Sequence, residues 1–199
     1  MMRFEWRPFL ERWSAEWADG GDTRDERGDG DREARAARWL GFAPAGEERL
    51  VALEERLGCP LPPSLRSFLQ VTDGWRPAGT SVRRLAGTEG IDWCADPHGG
   101  GGTRSDARDT DTDTDTEKTG EAGLGGRCIR LTAESEMVDV LLDPDDVDER
   151  GEWAVHTYTG RRGAAPERHG SFKHFMEDLY EEFLGTVEGV SSGSVSVSR

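Results

Sequence analysis

Residues 47–75 read EERLVALEERLGCPLPPSLRSFLQVTDGW, and this stretch decides the fold. Leu50, Val51, Leu53 and Leu57 recur at helical spacing between charged residues, which predicts an amphipathic helix over Glu47–Leu57. Gly58 follows the last apolar position, where a left-handed stop residue is expected. Leu61-Pro62-Pro63 then forces an extended corner, because a residue before proline is pushed out of the helical region. Proline also suits the first turn of a new helix, where its missing N–H leaves nothing unpaired. Leu65, Phe68 and Leu69 give that second helix a buried stripe, and Asp73-Gly74 breaks it before Trp75.

Upstream, Trp6, Phe9, Leu10, Trp13 and Trp17 carry a helical rhythm, so residues 1–18 read as an amphipathic helix whose tryptophans bury against something. Residues 19–31 are Gly/Asp-rich with no apolar side chain and read as a flexible linker. A short helix is expected over Arg32–Leu40, and an ordered domain over 32–185.

Downstream, Thr80–Leu85 and Ile91–Cys94 are short β-compatible pieces between glycine-rich turns. Residues 98–126 hold one large apolar residue, Leu124, and cannot offset their ordering entropy by burial, so a disordered insertion is expected there. Arg127–Leu131 and Met137–Leu142 read as a hairpin, with Asp143-Pro144 closing its second strand. An acidic stretch follows to Glu152, and Trp153–Tyr158 reads as the last strand. Ser171 can cap a helix with Phe172, Phe175, Met176, Leu179, Tyr180, Phe183 and Leu184 on one apolar face, with Gly185 as its stop and 186–199 as a loose tail.

Forty acidic against twenty-five basic residues give a net charge of −15. A field of that sign opposes binding to nucleic acid or anionic membrane and favours encounter with a basic partner, although it also serves plain solubility. Every apolar run is too short to span a bilayer, and the charged N-terminal stretch is unlike a secretory signal, so a cytoplasmic protein is expected. Cys59, Cys94 and Cys128 are widely spaced with no C-x-x-C, which favours buried reduced thiols over a disulfide framework or a zinc site.

Catalytic chemistry finds little support. His98, His156, His169 and His174 form neither H-x-H nor H-E-x-x-H, and there is no G-x-S-x-G elbow. The Asp-Thr repeat of the insertion lacks the glycine that an EF-hand loop requires after its third aspartate. No cofactor and no enzymatic activity are expected.

The string LEERLGCPLPPSLRSFLQVTDGW resembles the signature of the SUKH superfamily of Smi/Knr-type proteins, with its LG-x-x-LP-x-x-(Y/L)-x-x-FL and GW core. Trp39–Ala45, Ile91–Trp93, Met137–Pro144, Gly151–Ala154 and Ser171–Met176 resemble further elements, so the likeness covers residues 38–97 and 127–184. Leu65 stands where a tyrosine is common, which removes any role for a hydroxyl there. The resemblance implies an α+β fold, a curved and mainly antiparallel sheet packed by helices. It also implies a bacterial immunity protein that binds and neutralises a cognate toxin, such as a basic nuclease. Fungal relatives act as scaffolds, so a cytoplasmic scaffold or regulatory interaction module is the alternative. The expected partner-binding face comprises Asp73, Gly74, Trp75 and Trp93, with Asp145, Asp146, Asp148 and Glu149 supplying charge. The competing reading is core packing for Trp75 and Trp93 and solvation for the carboxylates. Oligomeric state is left open.

Overall fold

The computed structural model describes residues 4–20, 29–78, 80–94, 127–133, 138–159 and 166–192. The expected insertion at 98–126 lies outside them, as do 21–28 of the linker and 193–199 of the tail. The helices α1 (Trp6–Asp19), α2 (Asp29–Ala37), α3 (Glu47–Leu57) and α4 (Pro63–Leu69) come first. The strands β1 (Asp92–Cys94), β2 (Cys128–Arg130), β3 (Val138–Val147), β4 (Trp153–Thr159) and β5 (Glu167–His169) follow, and α5 (Phe172–Ser192) comes last. The strands pair in chain order, each antiparallel to its neighbour, in an open five-stranded sheet. The fold is α+β.

The corner forms as its sequence dictates. Gly58 closes α3 at φ 73°, a left-handed value that a glycine adopts without steric cost. Pro63 opens α4. Glu54 on α3 fastens the two helices, accepting from the Leu61 backbone N–H at 3.1 Å and from Arg66 Nε at 3.2 Å.

Side-chain alternation gives the sheet two distinct faces. Ile129, Val138, Val140, Leu142, Trp153 and Val155 belong to the main core with the helices. Cys94, Cys128 and Leu141 form a second cluster, with Tyr158 packed against it, on the opposite face. The tryptophans of α1 enter the main core, so this helix is a structural part of the domain rather than an appendage. The Trp13 ring contacts Trp75 at 5.8 Å and Tyr180 at 5.4 Å, and Trp6 contacts Phe68 at 5.3 Å. Glu16 accepts a hydrogen bond from the Tyr180 hydroxyl on α5, and burial, then this carboxylate, pushes the phenol up to about 12.

Several readings differ from the structure. α2 begins at Asp29, inside the expected linker, and ends at Ala37 rather than Leu40, and Leu184 of α5 is exposed rather than on the buried face. Thr80–Leu85 is no strand; Leu85 instead bridges Trp75. β3 runs on through Asp143-Pro144 to Val147, because an irregularity in register between Asp143 and Val147 takes up the proline that a regular ladder would exclude. β4 is not the last strand, since Glu167–His169 pairs with it through the backbone despite its polar side chains. α5 passes Gly185 and ends at Ser192. Gly185 does not take up positive φ, the left-handed conformation a stop requires.

Candidate functional site

The expected face divides into three separate places. Asp73, Gly74 and Trp75 form an internal joint. Asp73 accepts from the Thr88 N–H at 2.6 Å, from Thr88 Oγ1 at 3.0 Å and from Arg49 at 2.7 Å. Gly74 is buried at φ 105°, and a Cβ there would meet Leu85 O at 3.0 Å. Trp75 is fully buried, between the rings of Trp13 and Trp39, and exchanges backbone hydrogen bonds with Leu85 at 3.1 and 2.9 Å. It is a core residue and offers nothing to a partner. Trp93 is half-buried; its indole N–H donates to Leu57 O at 3.1 Å, and the Arg127 guanidinium lies 4.2 Å over the ring.

The acidic residues lie together beyond Asp143, whereas the Asp73 joint lies toward the opposite end of β3. The link is short: Asp73 holds Thr88, while nearby Ala86 N–H donates to Leu131 O, and Leu131 N–H donates to Val140 O. Past Asp143 the chain bulges and then turns back at Asp148–Gly151. Asp148 builds this turn, its Oδ1 accepting the N–H groups of Arg150 at 2.8 Å and Glu152 at 2.9 Å. Gly151 takes φ 76°, which the reversal requires. Asp145, Asp148, Glu149 and Arg150 are exposed as a result.

Their charges are not equivalent. Asp146 receives Arg168 in a two-pronged ion pair at 2.7 and 2.8 Å, and this hydrogen-bonded guanidinium holds its carboxyl below the usual range. Asp145 and Glu149 have no ion pair among the described residues. The turn therefore presents Asp145 and Glu149 as available carboxylates, with Asp148 exposed but engaged through Oδ1 in the turn and Asp146 already neutralised.

Sequence reasoning passed over the residue that fixes the turn to the helices. Glu152 reaches the start of α4, accepting from Ser64 N at 2.9 Å and Ser64 Oγ at 2.5 Å. The two residues stand 88 positions apart, so no local pattern announces the pairing. Beside this clamp lies an open groove of about 880 Å³. Phe4, Trp6 and Pro63 supply apolar lining, and Asp148, Arg150 and Lys173 charged lining. Such a combination suits a protein partner, with an apolar contact inside a charged rim.

The histidines build no reactive centre among the described residues. His169 Nδ1 pairs with Asp178 at 2.6 Å, and Ser171 Oγ meets His174 Nδ1 at 3.0 Å as part of the cap of α5. No group of three or more His, Cys, Asp or Glu has metal-holding geometry among the described residues. Nor is any described helix long and apolar enough to cross a membrane.

Helices on an antiparallel sheet, with an LG-x-x-LP corner clamped to a G-E-W turn, define a SUKH-type domain. The chain belongs to the SMI1 / KNR4 family (SUKH-1), whose family model matches residues 44–178. No curated protein and no solved structure matches it. At family level this supports a toxin-immunity-like or related role, in a family of generally non-catalytic, immunity-type domains. α1 lies outside the matched residues, yet its tryptophans complete the core.

Proposed function

We propose that this protein is a non-catalytic immunity protein, one that binds a basic toxin in the cytoplasm and blocks its substrate groove without any cofactor. The observation that carries this reading is the β3–β4 turn, where Asp145, Asp148 and Glu149 are exposed and Asp145 and Glu149 lack an ion pair among the described residues. Such carboxylates imitate phosphate for the arginines and lysines of a nuclease groove. The groove beside the turn gives the same partner an apolar foothold at Phe4 and Pro63. A net charge of −15 assists encounter over longer range. Trp75 and Asp73 leave the binding face, since both are committed to internal contacts.

The test is binding to any basic toxin encoded beside this protein's gene, and the lack of one would count against the reading. Replacing Asp145 and Asp148 with Asn and Glu149 with Gln together should slow association about tenfold at low salt. The difference should close near 1 M salt, where the screening length falls to about 3 Å. Unchanged affinity and salt dependence would remove the turn from the interface.

A further inference from the structure

Cys94 and Cys128 are far apart in the sequence, yet the β1–β2 register sets them directly opposite each other. Directly opposed residues in antiparallel strands have Cα atoms about 4.5 or 5.5 Å apart, depending on their place in the hydrogen-bonding ladder. Both separations fall within the span of about 4.4–6.8 Å that a disulfide bridges. Opposed residues also point to the same face of the sheet, and here both thiols enter the second cluster, with Leu141. Cys128 Sγ lies 3.8 Å from the Cys94 carbonyl oxygen. Both cysteines are reduced, and Cys59 sits apart from them at the α3–α4 corner.

We propose that Cys94 and Cys128 are an oxidisable pair, which a small-molecule disulfide such as glutathione disulfide converts to an intramolecular cystine. Cys94 is the entry point. It lies on the three-residue strand β1 at the sheet edge and is 7% exposed, against 1% for Cys128. Burial, then the Cys94 thiol, pushes Cys128 up to about 12, which disfavours a first attack from Cys128. The Cys94 thiolate attacks one sulfur of the oxidant and expels one glutathione thiolate, leaving a mixed disulfide on Cys94. Cys128 then loses its proton and attacks Cys94 Sγ, expelling the second glutathione. Two protein thiols are oxidised, one glutathione disulfide is reduced, and the two thiol protons pass to the two departing thiolates. The new bond fastens the short edge strand β1 to β2.

The test exposes the full chain to excess glutathione disulfide, then denatures and alkylates it without reductant. Alkylated thiols should fall from the three of the reduced chain to Cys59 alone, and peptide mapping should show a Cys94–Cys128 bridge. Excess dithiothreitol should restore all three. The Cys59→Ser variant should close the same bridge, and it carries the test if Cys128→Ala or Cys94→Ser does not fold. Where those two fold, neither should form an intramolecular bridge. Persistent alkylation of Cys94 and Cys128 in the oxidised chain, a bridge to Cys59, or disulfide-linked dimers would each overturn the proposal.

Discussion

The Glu152 clamp makes the sharpest prediction for stability. Its half-buried carboxylate accepts the Ser64 N–H and the Ser64 hydroxyl, and holds the acidic turn against the first residues of α4. A hydrogen bond to a charged group contributes about 1.5–3 kcal/mol. Losing a side-chain acceptor at a helix start costs about 1 kcal/mol. Groove water can re-solvate Ser64, so we discount the pair of bonds to about 2 kcal/mol for Glu152→Ala. At about 2–4 °C per kcal/mol for a chain of this size, the thermal midpoint should fall by about 4–8 °C. Glu152→Gln keeps one acceptor oxygen and should lose about half as much. Urea unfolding of Ser64→Ala, Glu152→Ala and the double variant would isolate the coupling, expected at about 1 kcal/mol with unchanged m-values. Additivity within about 0.3 kcal/mol would mean that the clamp contributes nothing, and the reasoning would fail.

Two further outcomes follow from buried features. Gly74→Ala places a Cβ 3.0 Å from Leu85 O at a φ of 105°, and should cost about 2–3 kcal/mol in urea unfolding; an unchanged midpoint would contradict the close approach. Burial pushes His156 below its usual value, opposed by Asp143 at 4.0 Å. As pH falls below about 6.5 the unfolded chain takes up the proton first, so stability present at higher pH is lost progressively on acidification. The loss between pH 7.5 and 5.5 should shrink in His156→Leu, and an equal loss in both proteins would assign it to other groups.

The helical parts of the fold were legible because each carried its own punctuation. Gly58, Pro63 and Ser171 stand where a stop, a start and a cap belong, and all three serve so. Strand ends were less legible, since β5 is made of Glu, Arg and His and exists only because β4 offers it a backbone edge. The site was partly legible as composition but not as geometry. Asp145 and Asp146 are indistinguishable in the sequence, and only the return of β5 brings Arg168 to one of them. Trp75 could not be assigned to core or surface, because the rings that enclose it, Trp13 and Trp39, come from segments whose approach no spacing records. The opposed cysteines escaped notice for the same reason.

The hydrogen bond from Tyr180 to Glu16 joins residues 164 positions apart, so α1 and its cover on α5 are made at different times. Translation delivers α1 before α5, so the indoles of Trp6 and Trp13 lack their neighbours Phe172 and Tyr180 until α5 is made. A nascent chain of this protein thus carries an uncovered aromatic strip until α5 has emerged to cover it.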